Sequence, residues 1–97
     1  MITKYTEYCV ICGKPCVERH HIFKGVKQRR LADEDGLILS LCKEHHTGNM
    51  SVHQKKELNI LCEIIGELAY EKKLCAEGYS EDAARDSFRL RYGKNYI

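Results

Sequence analysis

Leu37-Ile38-Leu39-Ser40-Leu41-Cys42-Lys43-Glu44-His45-His46 runs from a short apolar stretch straight into a pair of metal-type ligands. The apolar run predicts a β-strand that delivers Cys42. Cys42 and His45 have two residues between them, the spacing at which a tight backbone turn points two side chains at one tetrahedral centre. The same spacing occurs upstream in Cys9-Val10-Ile11-Cys12, followed by the turn formers Gly13 and Pro15. Cys9, Cys12, Cys42 and His45 are therefore a candidate structural zinc set, thiolates favouring zinc over magnesium or calcium. His46 could replace His45, and Cys16 is a further competitor. The plain alternative is that Cys9 and Cys12 are small buried hydrophobes unrelated to Cys42. Cys16, Cys62 and Cys75 read as packing residues.

The chain has 97 residues, enough for one domain but not for a large core, so a metal staple is expected. The reading is α+β: a zinc-stapled core over about 5–56, with a helical extension over about 51–97. Residues 5–12 and 16–23 read as short extended segments, and 29–34 as a helical turn. Ser51-Val52-His53-Gln54 looks like a capping-box start for a long helix. Leu58, Leu61, Ile65 and Leu68 would form its inner face, and it should end near Leu74, before Gly78. Ser80 should cap a last helix with Ala84, Phe88 and Tyr92 inward. No apolar run is long enough to span a membrane, and the N-terminus lacks a signal-peptide core. The expectation is a soluble, intracellular chain whose six cysteines are reduced or metal-bound.

Net charge is only +2, but its distribution is uneven. Lys14, Arg19, Lys24, Lys27, Arg29 and Arg30 stand against the single acid Glu18, giving +5 over seventeen residues. That stretch is either a solvated loop or a surface for a phosphate backbone. Within it lies His20-His21. On a strand, neighbours face opposite sides, so one can ligate a metal while the other keeps a nitrogen to take a proton from water. His46 and His53 complete the histidines outside the zinc set. The bland alternative for all four is a second zinc site without chemistry.

Cys9-x2-Cys12, His20-His21-Ile22-Phe23, Gly25, Arg29-Arg30, Leu41-Cys42-Lys43-Glu44-His45-His46 and Val52-His53 together resemble the HNH, or ββα-metal, nuclease superfamily, in particular its small bacteriophage-type members. The tail Arg91-Tyr92-Gly93-Lys94-Asn95-Tyr96-Ile97 is also similar to the ending of such proteins. The resemblance implies a ββα-metal core and a nuclease acting on nucleic acid, DNA more than RNA, in a bacterial host cytoplasm. It places a metal ligand at His20, the general base at His21 and a second metal ligand at His46. His53 falls where some members, the colicin nucleases among them, have a further ligand, though at a longer offset. Arg29 and Arg30 would hold phosphate oxygens, and Lys24 and Lys27 would add attraction for the backbone. The catalytic metal would be Mg2+, Mn2+, Ni2+ or Zn2+, and the products would carry a 5′ phosphate. One position departs from the pattern: Leu37 stands where the family has asparagine, with Asp35 or Ser40 as candidate substitutes. The alternative is a zinc-stabilised nucleic-acid-binding module that no longer cuts. A third reading is an adaptor whose long helix meets a partner, which an exposed apolar stripe after Leu58 would favour.

Overall fold

A computed structural model describes residues 1–15 and 17–97; the expectations for Cys16 lie outside the described residues. The first extended segment expected, 5–12, is not a strand. It is a series of bends and turns closing on Cys9, whose carbonyl accepts from the Gly13 N–H at 2.8 Å while its own N–H donates to the Lys14 carbonyl at 2.8 Å. Gly13 takes a φ of 76°, a left-handed value that glycine adopts without strain. This knuckle then leads into β1 (Val17–His21).

β1 pairs antiparallel with β2 (Ile38–Cys42), in a register that sets His20 opposite Leu39 and His21 opposite Ile38. Every residue of β2 is buried. Its remaining polar groups are met from outside the pair, Val10 N–H donating to the Ser40 carbonyl and Ile2 N–H to the Ile38 carbonyl. A sheet of two strands is marginal alone, and this one is closed in by the knuckle and the helices.

Between the strands, the expected helical turn at 29–34 is a full helix, α1 (Val26–Asp35). It stops at Gly36, left-handed at φ 70°, whose N–H returns to the carbonyls of Ala32 and Asp33. After β2 comes the one-turn helix α2 (Lys43–His46), packed on both strands. Ser51 does accept from the Gln54 N–H at 3.1 Å, but this closes a turn of its own, and the long helix α3 starts later, spanning Lys56–Ala76. Ser80 caps α4 (Glu81–Tyr92) through the Ala83 N–H, with Ala84, Phe88 and Tyr92 buried as the sequence predicts.

The inner face of α3 is not the one expected. Leu61, Ile65 and Leu68 are exposed, while Cys62, Gly66, Glu67 and Glu71 are buried. Two features fix this rotation. At Gly66 the backbone comes so close to Phe23 that a Cβ there would sit 3.0 Å from the ring. Beside it, the Glu67 carboxylate accepts from the Tyr96 backbone N–H and from Asn95 Nδ2. Apolar periodicity alone carries no information about either.

Phe23 joins the two halves. Its ring lies 4.7 Å from Tyr92 and 5.5 Å from Tyr96, and Phe88 stacks on Tyr92 at 4.6 Å. Aromatic packing of this kind contributes roughly 0.5–1.5 kcal/mol per pair beyond buried area. At the far side, Asp35 at the end of α1 accepts from Arg91 Nε at 2.7 Å and from the Tyr92 hydroxyl at 2.6 Å. The result is a small, compact α+β structure, a two-stranded antiparallel sheet with four helices among the described residues. None of these helices is long and apolar enough to cross a membrane.

Candidate metal centres

The knuckle and the start of α2 bring four donors together. Cys9, Cys12, Cys42 and His45 place their ligand atoms within 4.8 Å of one another. The Cys12 and Cys42 sulfurs are 3.7 Å apart, and His45 Nδ1 is 3.3 Å from the Cys42 sulfur and 3.7 Å from that of Cys9. A tetrahedron with zinc–sulfur bonds of about 2.3 Å and zinc–nitrogen bonds of about 2.0 Å has edges of roughly 3.5–3.8 Å. The set thus has the dimensions and donor chemistry to hold a metal ion such as zinc. Burial opposes ionisation of the Cys9 thiol, but backbone N–H groups of Cys42, Cys12 and Ile11 outweigh it and lower its pKa to about 6. At Cys12 the balance reverses: the Lys14 backbone favours the thiolate, yet partial desolvation and the neighbouring Cys42 and Cys9 sulfurs raise the pKa. Crowded thiolates repel one another, and a bound dication relieves that repulsion.

The second group takes in the other member of the His45-His46 doublet. His20 from β1, His46 from α2 and His53 from the turn before α3 bring their ring nitrogens within 4.8 Å of one another. Their ring centroids are 4.8–5.3 Å apart. His20 is buried and its Nε2 has no hydrogen-bond partner. Leaving such an atom dry and unpaired costs about 1–3 kcal/mol, so an orphan nitrogen beside two more imidazoles fits a metal ligand. His46 Nδ1 donates to Glu18 Oε1 at 2.8 Å, the carboxylate–histidine arrangement that fixes which nitrogen of a ligating imidazole is left free. Burial, then the charges of His46, His53, Lys24 and His21, push the pKa of His20 down to about 3. Burial, Lys24 and His46 lower that of His53 as well. Both shifts favour neutral imidazole, the form that binds metal.

His21 ends β1, next to His20 and with a different partner. Its Nε2–H donates to Asp33 Oδ1 at 2.9 Å, which leaves Nδ1 to accept a proton. Arg19, His20, His21, Lys24, Arg29, His46 and His53 share a cleft of about 300 Å³. Arg30 and Lys27 are exposed on α1 and do not line it. A larger depression of about 810 Å³, between the end of α1 and α3, brings no histidine or cysteine with it.

No protein-family model, curated protein or solved structure matches the chain.

Three residues at this site escaped the sequence reading as site residues: Arg19 in the cleft, Glu18 behind His46, and Asp33 behind His21. Asp33 left a trace, since Arg29 and Asp33 are four apart and share a helix face. Glu18 left only its position two residues before His20 on one strand. Asp35 and Ser40, expected as stand-ins for the asparagine of the resembled family, are engaged elsewhere, Asp35 with Arg91 and Tyr92, and Ser40 through its hydroxyl with the Thr6 carbonyl. Leu37 itself is core. Its N–H donates to the Ala32 carbonyl at 2.8 Å and its carbonyl accepts from the Ile22 N–H at 3.2 Å, so main-chain bonds hold the segment.

Proposed function

We propose that the chain is a metal-dependent endonuclease of the HNH, ββα-metal type, with β1, β2 and α2 as its core. The observation that carries this reading is the convergence of His20, His46 and His53 beside the His21–Asp33 pair in a cleft rimmed by Arg19, Lys24 and Arg29. Of the Mg2+, Mn2+, Ni2+ and Zn2+ group, the three imidazoles of His20, His46 and His53 suit Ni2+ and Zn2+ best, Mn2+ and Mg2+ needing oxygen ligands besides; the bound ion would supply Lewis-acid stabilisation of charge on the phosphate and on the leaving oxygen. The zinc set of Cys9, Cys12, Cys42 and His45 is structural, with all four positions closed by protein.

The protein's own groups account for the remaining chemistry. His21 Nδ1 takes the proton of the attacking water, and Asp33 holds the ring and stabilises the imidazolium that forms. Water attacks phosphorus, the bond to the 3′ oxygen breaks, and that oxygen takes a proton from solvent water, giving a 5′ phosphate and a 3′ hydroxyl. Arg29 and Arg19 bind non-bridging phosphate oxygens, and Lys24 adds charge at the rim. Arg30 and Lys27 lie further out, where they contribute to holding flanking phosphates, DNA being favoured over RNA as the substrate.

A second reading, a zinc-stabilised nucleic-acid-binding module, draws on Leu37 at the asparagine position. Against it stands Asp33, which already orients the base. The test is a divalent-metal panel with supercoiled plasmid, wild type against His21→Ala. Nicking by wild type that the variant loses supports the nuclease. If wild type stays inactive under every metal, with its zinc in place, the binding module replaces it.

A further inference from the structure

The face of α3 opposite the core is apolar and unpartnered. Leu61 is 53% exposed, Ile65 44% and Leu68 51%, with Ile64 half-buried beside them. Because Gly66 and Glu67 pin the other face, no rotation of the helix within the monomer can cover these side chains. The spacing is that of a helix–helix seam. It also has a mirror symmetry in sequence. About the midpoint between Ile64 and Ile65, Leu61 mirrors Leu68 and Glu57 mirrors Lys72. At 3.6 residues per turn these six positions fall within about 50° of one line along the helix.

We propose that two copies of the chain associate through this face, their α3 helices antiparallel about a two-fold axis at that midpoint. Leu61 then packs on the partner's Leu68, Ile64 and Ile65 meet their own counterparts on either side of the axis, and Glu57 meets the partner's Lys72 at both ends of the seam. Glu57 and Lys72 are exposed, and neither has an ion-pair partner within the chain among the described residues. The like-charged mirror pair, Lys56 and Lys73, points about 130° away from the line and does not meet. An isologous contact needs a surface complementary to its own reversal, and this stripe has that property in both its apolar and its charged positions. A face shaped for an unrelated helix has no reason to. Beside the seam, Leu58 and Ile11 continue the apolar surface onto the knuckle across a groove of about 290 Å³. The association is independent of whether the chain cuts nucleic acid.

Sedimentation velocity across the micromolar range tests this, with far-UV circular dichroism as the control for folding. Wild type should be a dimer and Leu68→Glu a monomer. Glu57→Lys and Lys72→Glu should each place like charges at both ends and weaken the dimer about tenfold or more, which is about 1.4 kcal/mol. An equimolar mixture of these two variants should associate more tightly than either alone, because at both ends of the seam a lysine of one variant then faces a glutamate of the other. A monomeric wild type overturns the proposal and leaves the face to another protein. So does a dimer indifferent to Leu68→Glu, or a mixture no tighter than its components.

Discussion

His21 Nε2 and Asp33 Oδ1 lie 2.9 Å apart, joining the last residue of β1 to the last turn of α1. Asp33 is largely exposed, so the bond contributes at most about 1 kcal/mol to stability. Its effect on a general base should be larger. Asp33→Asn should lower plasmid nicking by about 10–100-fold, and His21→Ala by about 100–10,000-fold, with thermal midpoints near wild type. Equal nicking by Asp33→Asn and wild type would show that the base is oriented by something else.

The two clusters should separate cleanly under mutation. Zinc held by four protein ligands contributes an apparent binding free energy of about 10–16 kcal/mol, as much as a domain's whole stability. Cys42→Ser, or chelation of wild type, should therefore abolish cooperative unfolding along with bound zinc. His46→Ala and His53→Ala should keep one zinc and a cooperative melt while losing nicking. Melting curves with metal analysis would check both.

Gly66→Ala tests the close approach of α3. Alanine gains about 1 kcal/mol in helix propensity, but its Cβ would lie 3.0 Å from Phe23 and 3.1 Å from Ile22. Phe23 is fully buried among Phe88, Tyr92 and Tyr96 and has no room to move. Overpacking of this kind costs about 1–3 kcal/mol, so the urea midpoint should fall despite the better helix former.

Cys62 and Cys75 should differ in reactivity. Burial, reinforced by Glu63, pushes the Cys62 thiol up to about 11, whereas Cys75 is partly exposed near the end of α3. Thiolate is the reactive form. Timed iodoacetamide labelling of the zinc-loaded protein at neutral pH, read by peptide mass spectrometry, should modify Cys75 well before Cys62.

The sequence revealed most where chemistry constrains spacing. Two ligand pairs with two intervening residues are enough to bring Cys9, Cys12, Cys42 and His45 together, and the neighbours His20 and His21 end with different partners, the one beside His46 and His53 and the other on Asp33. Ser80 declared α4 because a cap is a local event. What stayed hidden depends on distant contacts. α3 followed its glycine and its glutamate rather than its leucines, because Phe23 and the 95–96 segment set its rotation. The backbone bonds that close Cys9–Lys14 took the first expected strand away. Asp33 and Glu18 looked like ordinary surface acids until the fold put a histidine beside each.

Asp35 ends the helix that carries Asp33, and Arg91 and Tyr92 of α4 grip it. All seven metal-type donors lie between Cys9 and His53, so a chain cut after residue 56 would keep every one of them. It would also release the far end of α1, and with it the bearing of His21. The C-terminal half therefore acts as a jig: it supplies none of the donors, and it holds the helix whose Asp33 orients His21.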